Sequence, residues 1–225
     1  VVELTQWLKD NQSDIDPRVS IQFAGDNEDQ AEASKFLIKA FIIALFMMAV
    51  ILVTQFNSFY SAFLILFAVI MSTIGVMIGL LVTGQPFGIV MSGVGVIALA
   101  GIVVNNNIVL IDTFDTLRTE GNSVRESILL TGAQRLRPVL LTTVTTVLGL
   151  MPMVLQLNID FIGRTVSQGA PSTQWWVQLS TAIVFGLTFS TILTLIVTPC
   201  ALMLREKVGR LKNKIIGRFK RAKTA

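Results

Sequence analysis

The sequence predicts an all-α polytopic membrane protein of five transmembrane helices, preceded by a partial α/β segment outside the bilayer. Three observations predict it. Of 225 residues, 52% are hydrophobic and only 14% are charged, whereas soluble domains carry about 25% charged residues. The charges are swept out of five apolar blocks, at 36–54, 63–83, 87–111, 138–155 and 176–202. Each block is near the roughly 20 residues that a helix needs to cross about 30 Å of hydrocarbon. Finally, Lys and Arg gather in alternate connections, as they do on the cytoplasmic side of membrane proteins.

Residues 1–30 are hydrophilic and read as the end of a soluble subdomain. Val2, Leu4 and Leu8 set against Glu3, Lys9 and Asp10 give a short helix, and residues 19–23 alternate like a strand. One helix and one strand cannot bury a core by themselves. With Val1 in place of an initiator Met and no signal peptide, the expectation is a piece of a longer protein whose earlier elements lie upstream.

Residues 31–204 form the membrane bundle. Residues 55–61 and 84–86 are tight, uncharged connections, so spans one to three are antiparallel and closely packed. Gly75 and Gly79 make a small-xxx-small pair, and Gly93, Gly95 and Gly101 give the third span a small-residue face, with Gly149 in the fourth. After the third span, Ser123 and Glu126 have capping-box spacing and open a short cytoplasmic helix over 123–134 along the inner surface. Arg135 and Arg137, beside Pro138, hold the start of the fourth span at the headgroups, and Trp175 and Trp176 anchor the outer end of the fifth.

Charge sets the orientation. The connection between spans three and four carries Arg118, Arg125, Arg135 and Arg137, and the tail 205–225 carries nine bases; both are expected to be cytoplasmic. The first 35 residues hold eight acids against three bases, and the connection 156–174 holds only Asp160 and Arg164. The N-terminus is therefore expected outside and the C-terminus inside. The tail follows a span directly, so its bases suit anionic lipid headgroups, at about 1 kcal/mol each near the surface, and nucleic acid is not expected as a partner.

Residues 105–107, three consecutive Asn inside the third span, are the chain's main polar anomaly. Lipid cannot satisfy an amide, so these side chains should face other helices or a hydrated cavity. In the fourth span Thr142, Thr143, Thr145 and Thr146 form a second polar cluster, with Thr142, Thr146 and Gly149 on one face. Two readings of these clusters stand side by side: tight packing with self-bonded threonines, or a hydrogen-bonded coupling seam built on Asn105, Asn106, Thr142 and Thr146.

Several classes are excluded or disfavoured. The chain contains no His and one Cys, Cys200, and offers no nucleophile motif and, within the membrane segments, no clustered acids for an enzyme. No phosphate loop of the Gly-x-x-x-x-Gly-Lys-Ser/Thr type occurs. Met47, Met48, Met151 and Met153 fit adaptable packing better than soft-metal transport. Apart from Lys39 and Asp112 near the ends of spans, the membrane segments hold no charge, so these helices alone cannot carry a proton across the bilayer.

Two stretches carry a family resemblance. Residues 101–112, Gly-Ile-Val-Val-Asn-Asn-Asn-Ile-Val-Leu-Ile-Asp, and residues 135–152, Arg-Leu-Arg-Pro-Val-Leu-Leu-Thr-Thr-Val-Thr-Thr-Val-Leu-Gly-Leu-Met-Pro, resemble the C-terminal membrane half of resistance-nodulation-division (RND) transporters, in the hydrophobe/amphiphile efflux branch. Residues 54–58 and Thr198-Pro199 extend the likeness.

The resemblance implies that the five spans are the C-terminal part of a twelve-helix bundle, its eighth to twelfth helices, and that residues 1–30 end a periplasmic porter subdomain. It implies an inner-membrane homotrimer that exports amphiphilic or drug-like compounds, driven by the proton gradient without a bound cofactor. Its partners would be the N-terminal half of the same protein, a periplasmic adaptor and an outer-membrane channel. Coupling in that family centres on an Asp pair in the N-terminal half, facing the positions held here by Asn105 and Thr142. Well-known drug pumps carry Lys at the first of these; a neutral Asn stabilises ionised carboxylates less, which raises the pair's expected proton affinity. A related bundle for sensing or for lipid or protein export, and a truncated half without transport of its own, are the alternatives.

Overall fold

The computed structural model describes residues 26–160, 165–169 and 171–223. The helix and strand expected within residues 1–25 lie outside the described residues. Five long helices make up almost all of the fold: α1 (Asp26–Phe56), α2 (Phe59–Thr83), α3 (Ile89–Thr119), α4 (Val124–Val154) and α5 (Pro171–Lys223). Each contains a stretch long and apolar enough to cross a membrane.

The helix boundaries follow local chemistry. Ser58 caps α2 by accepting from the Ser61 N–H, and Gly84, at φ 65°, ends it in the left-handed region with its N–H turned back to Leu80 and Leu81. That conformation costs a glycine nothing, which makes it a common helix stop. At α4, the Glu126 N–H donates to Ser123 Oγ at 3.3 Å and the Ser123 N–H donates to Glu126 Oε2 at 3.1 Å, satisfying two N–H groups that the first turn leaves free.

Four features differ from the sequence expectation. Residues 26–30, expected to end the outer segment, already belong to α1, and α5 continues as helix through the expected tail to Lys223. The other two concern α4 and its exit. The helix expected over 123–134 and the span expected over 138–155 are one continuous helix, with Pro138 inside it. Pro138 removes one backbone rung, to Gln134, but both residues are exposed, so the freed carbonyl is not trapped in the core. The connection after α4 is also not a plain loop: β1 (Leu157–Asp160) pairs antiparallel with β2 (Thr165–Gln168), Leu157 opposite Gln168 and Asp160 opposite Thr165. The all-α description therefore needs a small hairpin added.

The core is organised around α5, which packs on α2, α3 and α4, while α1 lies to one side against α2 and α3. Close approach explains the arrangement. A Cβ on Gly75 would lie 2.5 Å from the Cβ of Phe189, and one on Gly79 would overlap Phe185. On the other side, Gly186 of α5 leaves room for Leu99 and Val76. Small residues let helix backbones approach where lipid supplies no hydrophobic drive to bring them together. The outer surfaces of α1 and α4 stay apolar and uncovered, with Phe36, Ile42, Phe46, Leu141 and Leu148 all exposed. So large an apolar surface is made for lipid or for further protein.

Candidate functional site

The polar seam forms where α3 and α4 meet α5. Of the three consecutive amides on α3, Asn107 alone is fully buried, Asn106 is half-buried and Asn105 is exposed. Asn107 Nδ2 donates to the Val103 carbonyl at 3.0 Å and to Thr194 Oγ1 at 3.1 Å, and the Thr198 hydroxyl donates to Asn107 Oδ1 at 3.1 Å. Both amide protons and one carbonyl lone pair are thus used.

A second polar bridge joins α4 to α5. The hydroxyls of Thr143 and Thr191 lie 2.9 Å apart, each buried. Thr143 Oγ1 also lies 2.9 Å from the Val139 carbonyl, and Thr191 Oγ1 lies 2.7 Å from that of Leu187. Each hydroxyl has a single proton, so one of the pair donates across the seam while the other donates to its own helix carbonyl, which holds it in place as the acceptor.

The residues singled out from the sequence take other places. Thr142 donates to its own Val139 carbonyl at 3.0 Å and Thr146 to that of Thr142 at 2.8 Å. No hydrogen bond joins Asn105 or Asn106 to Thr142 or Thr146 among the described residues, so the direct relay between the two clusters is not formed within this chain. Within this seam the side chains that bond between helices are instead Asn107, Thr143, Thr191, Thr194 and Thr198. Thr191, Thr194 and Thr198 repeat at three and four residues along α5, a spacing that puts all three on one face of the helix. Asn105 and Thr142, by contrast, are on surfaces that the described helices leave open.

The proposed packing glycines divide likewise. Gly75 and Gly79 meet Phe189 and Phe185, Gly95 meets Ala182, and Gly93 meets the end of Leu37, whereas a Cβ on Gly101 or Gly149 would meet nothing within 4 Å. The last two lie toward open surface.

At the end of the bundle where α4 begins, Arg135 Nε donates to Thr113 Oγ1 at 2.6 Å, tying α4 to α3, while Arg137 is exposed. Tyr60 at the start of α2 donates its hydroxyl to the Ala201 carbonyl at 2.7 Å, and the Arg205 guanidinium sits 5.2 Å above its ring. At the opposite end Trp175 and Trp176 are 68% and 48% exposed. Beside Trp175 is an open cavity of about 480 Å³ whose polar lining is Gln30, Gln174 and Gln178. No group of three or more His, Cys, Asp or Glu that could hold a metal occurs among the described residues.

Known proteins are similar to this chain in sequence and arrangement. Residues 3–221 match the AcrB/AcrD/AcrF family. Swarming motility protein SwrC of Bacillus subtilis is 34% identical over 181 residues, 80% of this chain and 16% of that protein. Cobalt-zinc-cadmium resistance protein CzcA of Cupriavidus metallidurans is 31% identical over 157 residues, 70% of this chain and 14% of that protein. Crystal structures of a heavy metal efflux pump superpose with TM-scores of 0.68 and 0.65 at 29% identity, covering 91% of this chain and 20% and 19% of theirs. The chain thus spans less than a fifth of the curated relatives named here. With a match over nearly its whole length and five helices able to cross a membrane, the chain belongs to the AcrB/AcrD/AcrF family of RND efflux proteins, which are multi-pass inner-membrane transporters and not enzymes.

Proposed function

We propose that this chain works as the C-terminal membrane part of a proton-coupled efflux permease that exports amphiphilic or drug-like compounds. The observation that carries the reading is the outward position of Asn105 and Thr142. Two polar residues on neighbouring helices, left open by their own bundle, suit titratable groups supplied by another set of helices, since intramembrane polar faces turn toward protein or water. Asn105, Asn106, Thr142 and Thr146 would form the neutral side of the coupling seam. An inner-membrane homotrimer, a periplasmic adaptor and an outer-membrane channel complete the proposal, with the N-terminus periplasmic and the basic tail on cytoplasmic lipid.

The experiment is made in the full-length protein. Asn105→Leu and Thr142→Val are expected to abolish proton-linked efflux of a fluorescent amphiphile while membrane insertion stays normal. Wild-type efflux rates in both variants overturn the proposed seam.

A second reading is export of divalent metal cations. The relatedness to CzcA and to a heavy metal efflux pump favours it. The two readings separate in one host strain: expression that protects against zinc and cobalt but leaves dye retention unchanged supports cation export, and the reverse supports amphiphile export.

A further inference from the structure

We infer that Asn107 is a positioning residue that splints a proline break in α5, so that movement of the Asn105 face of α3 is carried to the end of α5 that follows Pro199. The functional half of this inference rests on the proposed proton-coupled efflux. Its structural half stands on geometry alone.

Pro199 lies inside α5. It has no N–H to donate to the Leu195 carbonyl, and its ring crowds that same carbonyl, so the turn 195–199 lacks a rung. Packing does not make up the loss, because a cavity of about 30 Å³ adjoins the turn, lined by Leu110, Phe114, Thr131, Leu195 and Pro199 among others. That volume exceeds the roughly 10–15 Å³ that one water needs. The turn therefore lacks a backbone bond and is incompletely packed on its Leu195–Pro199 side.

Across this turn sit Thr194 and Thr198, four residues apart on one face of α5. Asn107 donates to the first and accepts from the second, both at 3.1 Å. A single amide from α3 thus bridges, through side chains, nearly the same turn whose backbone bond is missing. Its other proton goes to its own helix at Val103, which aims the amide and leaves no donor unsatisfied.

The two parts of α5 on either side of Pro199 are fastened to α2 by different means. Before the proline, Phe185 and Phe189 seat on Gly79 and Gly75. After it, Tyr60 holds the Ala201 carbonyl and stacks under Arg205. Whether these two parts move together depends on the stiffness of the turn between them. Asn105 stands two residues before Asn107, about 200° around the helix at 3.6 residues per turn, consistent with one being exposed and the other buried. Any rotation of α3 that re-presents Asn105 must pull on Asn107 and so on the splinted turn.

The test is an epistasis experiment in the full-length protein, comparing Asn107→Leu, Pro199→Ala and the double variant. Two readouts are taken: proton-linked efflux of a fluorescent amphiphile, and amide hydrogen exchange over residues 195–203. Asn107→Leu is expected to lower efflux about tenfold and to speed exchange in that segment. In the Pro199→Ala background, where the backbone rung is restored, the same change is expected to alter either readout by less than twofold. An equal loss in both backgrounds, or no loss in either, overturns the inference. If Asn107→Leu fails to accumulate, Thr198→Val, which removes one bond and preserves size, is compared in the same two backgrounds under the same criteria. A wild-type protein without proton-linked efflux refutes the proposed function, while the exchange readout still decides the splint.

Discussion

The hydroxyls of Thr143 and Thr191 meet 2.9 Å apart across the seam between α4 and α5, one donating to the other while the accepting hydroxyl spends its single proton on a carbonyl of its own helix. The contact adds a directional link to a helix pair that is otherwise held by packing. Hydrogen bonds between membrane helices average about 0.6 kcal/mol and reach about 1.7. A double-mutant cycle with Thr143→Val and Thr191→Val, read by unfolding in bicelles, is expected to give a coupling energy of roughly that size. A coupling of zero means the two hydroxyls merely sit side by side.

Gly79→Val tests the close approach of α2 and α5. The added side chain runs into the Phe185 ring, and overpacking of this kind costs typically about 1–3 kcal/mol. The folded yield in detergent should fall, and Phe185→Ala in the same chain should recover part of it. A yield unchanged by Gly79→Val shows that the helices separate at no cost.

Tyr60 joins the start of α2 to the last described side chains of α5 in two ways, so two substitutions separate them. Tyr60→Phe removes the hydroxyl bond to Ala201 but retains the ring under Arg205, and is expected to cost about 1 kcal/mol. Tyr60→Leu also removes the cation–π contact, which adds about 0.5–1 kcal/mol. Thermal unfolding should rank wild type above Tyr60→Phe, and Tyr60→Phe above Tyr60→Leu; equal values for the two variants show that Arg205 contributes nothing through the ring.

Much of the architecture was legible in the sequence because lipid imposes a demand that depends on composition alone. A chain that crosses hydrocarbon must satisfy its backbone within each segment, so long apolar stretches become helices. The cap at Ser123 was legible for a similar reason, since its two hydrogen bonds are local and follow from spacing. The hairpin of β1 and β2 was not legible: its strands are four residues each, too short to show a period.

The three amides illustrate the limit most plainly. From the sequence alone follow five membrane helices, the small residues on which two of them could close, and the fact that residues 105–107 need partners. Which amide turns inward follows only from the tertiary structure. Helix α3 is apolar on most sides, so no polar stripe sets its rotation, and each residue along it turns the side chain by about 100°. The rotation is set instead by α5, where Gly186 admits Leu99 and Thr194 and Thr198 receive Asn107. That same rotation leaves Asn105 on the open surface.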